Sequence, residues 1–387
     1  MTDPAGPRSL ATDAARLTAL AQSSHDVITG HQHAGGAYPA SPTFSAYRGY
    51  AWLRDGGFTA EGVSLFGDVD SANRFHDWAS DVLTARTGQV EGLREAVRLG
   101  REIPAELMLP TRFTLDGEAG TDPWWDFQTD GYGTWLWSVV THARRHGLPL
   151  ARWQSGIEVA VDYLTTFWDR PCYDWWEENV EHRHVSTLGA IYSGLNESAR
   201  SGVLDPARRS IAEATARAAQ RLVLTQGTVT AADGSVHLAK WLGSTEVDAS
   251  LAACIVPFGL LPPTDPIARA TIDAIRHDLD VEGGVHRYRA DVFYGGGQWP
   301  LLSCLLAWNL AADGDHADAL RYLTWVADHA TDAGELPEQV PDHLLHPDDQ
   351  ETWIGRWGPV ATPLLWSHGM YLILADELGL LTQGSTR

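Results

Sequence analysis

Two adjacent glutamates, Glu177 and Glu178, follow the run Cys172-Tyr173-Asp174-Trp175-Trp176. A carboxyl set among aromatic rings loses hydration, and its pKa rises. A carboxyl that keeps its proton near neutral pH can act as a general acid. Glu177 is therefore the candidate acid of a sugar-cleaving site, although a glutamate in a first helical turn would have the same surroundings. Adjacent acids cannot both take that part, so Glu178 reads as an acceptor for a substrate hydroxyl. Cleavage of a glycosidic bond needs a second carboxyl as base. The segment Gly334-Glu335-Leu336-Pro337-Glu338-Gln339 offers Glu335 or Glu338, and their residue types alone do not separate them.

Two charged groups could hold a sugar. Arg54-Asp55 lies between Trp52 and Gly56-Gly57. An aspartate pinned by an arginine stays ionised and can accept bonds from two hydroxyls of one ring. A plain structural salt bridge is the simpler use of such a pair. Arg287, after Gly283-Gly284, could add a further hydroxyl contact. His182-Arg183-His184 has a metal-like look, but positions i and i+2 diverge on a helix. No metal site is expected.

These residues need a frame of 387 residues, 44% hydrophobic and 20% charged, which is a globular composition. The 50 acidic and 28 basic residues give a net charge of −22. That argues against nucleic acid and anionic membranes as partners and leaves room for a neutral or cationic small molecule. Of the basic residues only Lys240 is a lysine. Cys172, Cys254 and Cys304 are widely spaced and odd in number, which argues against disulfides and zinc. No leader-like or membrane-spanning apolar run is visible, so a cytoplasmic location is expected. The 17 tryptophans can pack a large helical core, and some can stack on sugar faces.

Helical periodicity dominates. Residues 8–28 place Leu10, Ala14, Leu17, Leu20 and Ala21 on one face, and 148–168 place Trp153, Ile157, Val161, Leu164 and Trp168 on another. Asp205-Pro206 and Asp265-Pro266 open two further helices. Others are expected over 67–83, 130–146, 299–312, 316–329 and 362–378. The best strand pair lies within 228–238. Gly67-Asp68 with Ala72, Arg74, Phe75 and Trp78 is echoed by Gly314-Asp315 with Ala319, Arg321, Tyr322 and Trp325. Repeated helical hairpins indicate an α-array, and closing one into a ring gives an α/α toroid. One domain over 1–387 is expected, with an N-terminal helix in 1–29 and an active-site loop over 30–56. Loops at one end of the ring would build the pocket.

From Gly36 to about Leu378 the chain resembles glycoside hydrolase family 15, the glucoamylase-like enzymes. The motifs are Gly36 to Pro42, Tyr47 with Trp52-Leu53-Arg54-Asp55, Asp130-Gly131-Tyr132-Gly133, Trp176-Glu177-Glu178 and Val247 to Leu251. Arg287-Tyr288 with Tyr294 to Gly297, Pro337-Glu338-Gln339 and Pro363 to His368 complete the series. The resemblance implies an all-α (α/α)6 barrel. It also implies an inverting exo-hydrolase that releases β-glucose from α-glucosides without a cofactor. It assigns Glu177 as acid and Glu338 as base, with Tyr47 near the attacking water. Arg54, Asp55 and Trp52 would hold the terminal glucose, Glu178 and Arg287 would add contacts, and Trp124 and Trp366 would line the pocket. No N-terminal β-sandwich and no starch-binding module is seen, and Phe293 stands where many relatives carry a tyrosine that supports Tyr47. Short α-1,6-linked substrates such as isomaltose are expected, ahead of α-1,4-maltooligosaccharides and trehalose. A non-catalytic sugar-binding toroid, or a toroid acting on anionic sugars, are the readings from other classes.

Overall fold

The computed structural model describes residues 10–124 and 127–381. Its helices are α1 (Leu10–His31), α2 (Leu53–Phe66), α3 (Val69–Thr84), α4 (Thr87–Arg98), α5 (Asp130–His146), α6 (Gln154–Phe167) and α7 (Val185–Arg200). There follow α8 (Pro206–Gln226), α9 (Pro266–Leu279), α10 (Pro300–Ala312), α11 (His316–Asp328), α12 (Gln350–Trp357) and α13 (Leu365–Glu377). Strands are confined to two-stranded antiparallel pairs: β1 (Tyr50–Trp52) with β2 (Arg112–Thr114), β3 (Thr228–Thr230) with β4 (Val236–Leu238), and β5 (Asp280–Val281) with β6 (Gly284–Val285).

The helices form a closed double ring. Helix α2 packs on α5, α5 on α7, and α7 on a 3-10 segment, Ala249–Cys254. That segment meets α10, α10 meets α13, and α13 returns to α2. These six are the inner ring, and α1, α3, α6, α8, α9 and α11 alternate with them along the chain as its outer partners. The sequence shows the division. Outer α9 buries one stripe, Ala268, Thr271, Ile275 and Leu279. Inner α10 and α13 are buried on nearly every side, as helices surrounded by others must be. This is the (α/α)6 barrel, and one continuous hydrophobic core runs from Leu17 to Ala375.

The sequence echo marks equivalent hairpins of this ring, α2–α3 and α10–α11. Gly67 and Gly314 both adopt left-handed backbone, at φ 100° and 96°. Asp68 and Asp315 each accept a backbone N–H three residues on, capping α3 and α11. Asp205 caps α8 by accepting the N–H groups of Ala207 and Arg208, and Asp265 caps α9 by accepting that of Ile267.

Some expectations shift. The N-terminal helix runs to His31, and Ala14 is exposed while Leu17, Leu20 and Ala21 are buried. Positions 8 and 9 and the side chain of Leu10 lie outside the described residues. The loop expected over 30–56 ends at residue 49, because Tyr50–Trp52 pairs as β1 and Leu53 begins α2. Helices α2, α4, α7 and α12 do not stand out in the sequence pattern. The glycines of α2 and α7 obscure their period, while α4 buries only Val90 and Leu93 and α12 buries no residue fully. His182 and His184 lie in a loop, not on a helix. Among the described residues no helix is long and apolar enough to cross a membrane.

Inner helices cross closely at glycines. A Cβ on Gly133 would meet the Ala190 carbonyl oxygen at 2.4 Å, and one on Gly194 would meet the Gly133 oxygen at 2.5 Å. Gly133→Ala should therefore push α5 from α7 and cost about 1–3 kcal/mol, the usual size of overpacking. Gly88→Ala on α4, with nothing within 4 Å, serves as control and should be neutral or gain about 0.5–1 kcal/mol. Urea unfolding of both variants measures this, and an equal response would disprove the crossing argument.

Candidate active site

The inner helices all start at one end of the ring, and the chemistry-bearing residues gather at those starts. Arg54 and Asp55 sit in the first turn of α2, Asp130 is the first residue of α5, and His184 precedes α7. Asp248 precedes the 249–254 segment, Trp299 precedes α10, and Trp366 is second in α13. Unpaired N–H groups at these starts give that end of the ring positive partial charge, which favours carboxylates. There the ring opens into a cavity of about 450 Å³. Buried residues form its floor: Trp52, Arg54, Trp175, Arg287, Glu338 and Trp366. Half-buried Tyr173, Trp176, Glu178, Phe293, Trp353 and Trp357 stand toward the mouth.

Glu177 is not in a helix. It occupies a tight turn with left-handed backbone, φ 61°, an unfavourable state for a residue with a side chain. Asp174 holds the turn. Its Oδ1 accepts the backbone N–H groups of Trp176 and Glu178, each at 2.9 Å, and its carbonyl accepts the N–H of Glu177. The turn points Glu177 into the cavity, where Oε1 accepts the Trp52 indole N–H at 2.6 Å and Oε2 that of Trp124 at 2.7 Å. Burial pushes the Glu177 carboxyl up to about 7, against the pull of Arg54 and the two indoles. Arg112 keeps Trp124 in place, its guanidinium lying 3.9 Å from that ring and 3.6 Å from Tyr50. Trp175 packs on Phe58 and Trp366, and Trp176 borders the cavity.

Glu338 occupies another wall. Ser367 donates to the Pro337 carbonyl at 2.8 Å, and Leu336 N–H donates to His368 Nε2 at 2.9 Å, so α13 fixes the loop. Gln339 accepts the N–H of Gly297. Glu338 Oε1 accepts the Tyr47 hydroxyl at 2.9 Å, while Oε2 is buried without a hydrogen bond. Burial pushes the Glu338 carboxyl up to about 8, with Tyr47 and Arg287 opposing. Glu335 does not line the cavity, so the structure separates two glutamates that the sequence left equal. No hydrogen bond joins Glu177 to Glu338. Between them stand Tyr47 and Trp52, edge to face at 5.5 Å.

Arg54 pairs with Asp55 at 3.2 Å and Asp130 at 3.1 Å, and its guanidinium lies 5.3 Å from the Trp366 ring. Burial pushes the Asp55 carboxyl up to about 6 against the pull of Arg54, which still leaves it mostly ionised at neutral pH. Arg287 pairs with buried Asp291 and, at 3.4 Å, with Glu178, which also accepts the Tyr288 hydroxyl. Phe293 lines the cavity and stacks edge to face on Trp353 at 4.9 Å. Having no hydroxyl, it cannot donate to Tyr47.

All ten sequence-assigned residues, Tyr47, Trp52, Arg54, Asp55, Trp124, Glu177, Glu178, Arg287, Glu338 and Trp366, line this cavity. The sequence reading passed over Asp130, Asp174, Asp291 and Arg112, which brace the lining from behind. It also passed over Trp353 and Trp357, which α12 presents one turn apart. Asp130 and Asp174 stand within motifs that were visible. Asp291 pairs with Arg287 only four residues away, a local pair that the sequence reading did not use.

The sequence profile of the family described as glycosyl hydrolases family 15 matches residues 14–324. The chain is 68% identical over 369 residues to an isomaltose glucohydrolase from Kribbella flavida, covering 95% of this chain and 94% of that protein. It is 28% identical over 282 residues to a trehalase from Mycolicibacterium smegmatis, covering 66% of this chain and 40% of that protein. A solved wild-type glycosidase, 65% identical, superposes with a TM-score of 0.92 over 97% of this chain and 100% of that one. A bacterial glucoamylase complexed with acarbose, at 20% identity and TM-score 0.73, shares the fold over 93% of this chain and 55% of that one.

The Tyr47 hydroxyl favours the ionised form of Glu338, so its removal should favour the protonated form. Tyr47→Phe should raise the Glu338 carboxyl above its value of about 8. A carboxyl ¹³C titration, assigned by comparison with Glu338→Gln, measures it. An unchanged or lowered midpoint would contradict the bond.

Proposed function

The chain belongs to glycosyl hydrolases family 15, and from that premise we propose that it is an inverting, exo-acting α-glucoside hydrolase that releases β-glucose from the non-reducing end of isomaltose. The observation that carries this is the pair of carboxyls, half-buried Glu177 and buried Glu338, set on separate walls of one cavity. The linkage rests on the 68% identity to an isomaltose glucohydrolase. A cavity of about 450 Å³ suits a short substrate.

The terminal glucose lies on the cavity floor, its hydroxyls bonded by Arg54 and Asp55 and its faces against Trp52 and Trp366. Protonated Glu177 gives its proton to the glycosidic oxygen as the bond to the anomeric carbon breaks. Its new negative charge is met by the Trp52 and Trp124 N–H groups and by Arg54. Glu338, ionised, takes a proton through Oε2 from a water that attacks the opposite face, which inverts the configuration. Tyr47 holds Oε1 and so turns Oε2 toward that water. Turnover leaves Glu177 ionised and Glu338 protonated, and exchange with solvent resets both. Inversion requires space for the water, with the carboxyls roughly 6.5–9.5 Å apart.

Glu178 and Arg287 hold further hydroxyls, and Trp124 with Trp176 borders the leaving sugar. Anionic sugars fit poorly. Arg54 and Arg287 are already paired with carboxylates, and Arg289 pairs with Asp278 at the surface. Residues 1–387 act as one catalytic domain in this reading, and three buried free thiols suit a reducing, cytoplasmic setting.

Incubation with isomaltose, maltose and trehalose, followed by proton NMR, tests linkage and anomer together. Isomaltose should be cleaved fastest and β-glucose should appear first. Initial α-glucose would refute inversion, and preference for another disaccharide would refute the linkage. Glu177→Gln and Glu338→Gln should each lower kcat by at least about a hundredfold, the lower range for acid–base catalysis. Near-normal turnover in either variant would remove that residue from its role.

A further inference from the structure

Lys240 is the only lysine in a chain with 28 basic residues, and it is buried, with 2% of its side chain exposed. It lies outside the cavity lining, and the mechanism above makes no use of it. Its ammonium stands 3.2 Å from Asp248 Oδ2 and 3.0 Å from the centre of the Tyr288 ring. Each of these neighbours leads to the active site. Asp248 Oδ2 also accepts the Trp176 indole N–H at 2.9 Å, and Asp248 Oδ1 is held by Ser250 N–H and Oγ. Tyr288 donates its hydroxyl to Glu178 Oε2. The lysine backbone is itself fixed, its N–H donating to the Glu246 carbonyl and its carbonyl accepting Val185 N–H at the start of α7.

We propose that Lys240 is a positioning residue for the hydrolysis: it fixes Trp176 through Asp248 and Glu178 through Tyr288, the two side chains on either side of the acid Glu177. A residue at positive φ keeps its place only where its neighbours hold the backbone, and here both are tied to one buried ammonium. The ammonium also reaches the carboxyl that shapes the turn: burial raises Asp174, and Lys240 draws it back toward its charged form while Asp248 and Glu178 oppose that pull. The choice of lysine follows from shape. An ammonium is a compact point charge that fits between a ring face and a carboxylate, whereas a guanidinium is a larger planar fork. The chain uses arginine at every other basic position and departs from it only here.

The inference rests on the isomaltose reading, and the test keeps the two apart. Cleavage of isomaltose by the unmodified enzyme tests that reading alone. Against it, kcat and KM are measured for Lys240→Met, Lys240→Arg, Tyr288→Phe, Glu178→Gln and the double variants with Glu178→Gln. Lys240→Met should lower kcat/KM by about ten- to a hundredfold, the scale of a misplaced substrate contact, with most of the change in KM. Lys240→Arg should not restore it. In the Glu178→Gln background Lys240→Met should cost clearly less than in the wild type, because the route through Tyr288 is already cut and only that through Asp248 and Trp176 remains. Additive losses, wild-type kinetics in Lys240→Met, or full rescue by arginine would overturn the proposal. Should Lys240→Met fail to fold, Tyr288→Phe keeps the ring over the ammonium and cuts only the link to Glu178. Additivity of Tyr288→Phe with Glu178→Gln would equally overturn it. If isomaltose is not cleaved, the same cycles on glucose affinity, read by tryptophan fluorescence, decide the coupling.

Discussion

Burial of charge is the constraint on which this molecule depends. Asp55, Glu177, Glu178 and Glu338 share one aromatic-walled cavity with Arg54 and Arg287. Removing water from a carboxylate disfavours its charged form, and burial is the first cause of the raised carboxyls at Asp55, Glu177 and Glu338. The surroundings answer with specific compensation. Two indole N–H groups meet Glu177, a phenol meets Glu338, and Asp130 and Asp291 neutralise the arginines from behind. Glu177 and Glu338 keep enough desolvation to hold a proton near neutrality and enough donors to release one. That balance is what acid–base chemistry on an uncharged sugar requires.

The barrel supplies this balance through its construction. Six inner segments start at the same end, so their unpaired N–H groups converge on the cavity. Glycines let α5 and α7 approach closely, and the same device lets Gly62 of α2 meet Gly369 of α13. The walls are thereby fixed by packing, and loops only need to present side chains from them. The turn around Glu177 shows the division of labour: Asp174 shapes the backbone, Lys240 anchors the neighbours, and Glu177 itself only faces the cavity.

Much of this was legible in the sequence, for physical reasons. Outer helices have one apolar stripe, so 205–224 and 265–279 could be placed from period and Asp-Pro caps, and the Gly-Asp echo exposed the repeated hairpin. The ten lining residues stood in short motifs rich in tryptophan, glycine and paired charges. Helix α2 was hidden because it is buried nearly all round and carries glycines at positions 56, 57 and 62, which erase both period and propensity. Residues that act through long-range partners were hidden too. Arg112 sits under Trp124, and Lys240 under Tyr288, by virtue of the closed ring.

The order in which the ring closes has a consequence for synthesis. Tyr47 and Glu338 meet across 291 residues, and α13, which braces the Glu338 loop, is also the segment that joins α10 to α2. A nascent chain released from the ribosome N-terminus first therefore carries the Glu177 turn long before Glu338 can join it. Until residues 365–377 emerge, the apolar flanks of α2 and α10 have no cover. Such an open arc is exposed to misassociation, and it is also inert toward sugars. Translation thus withholds activity until the last inner helix arrives, and the helix that completes the wall also ends the period of vulnerability.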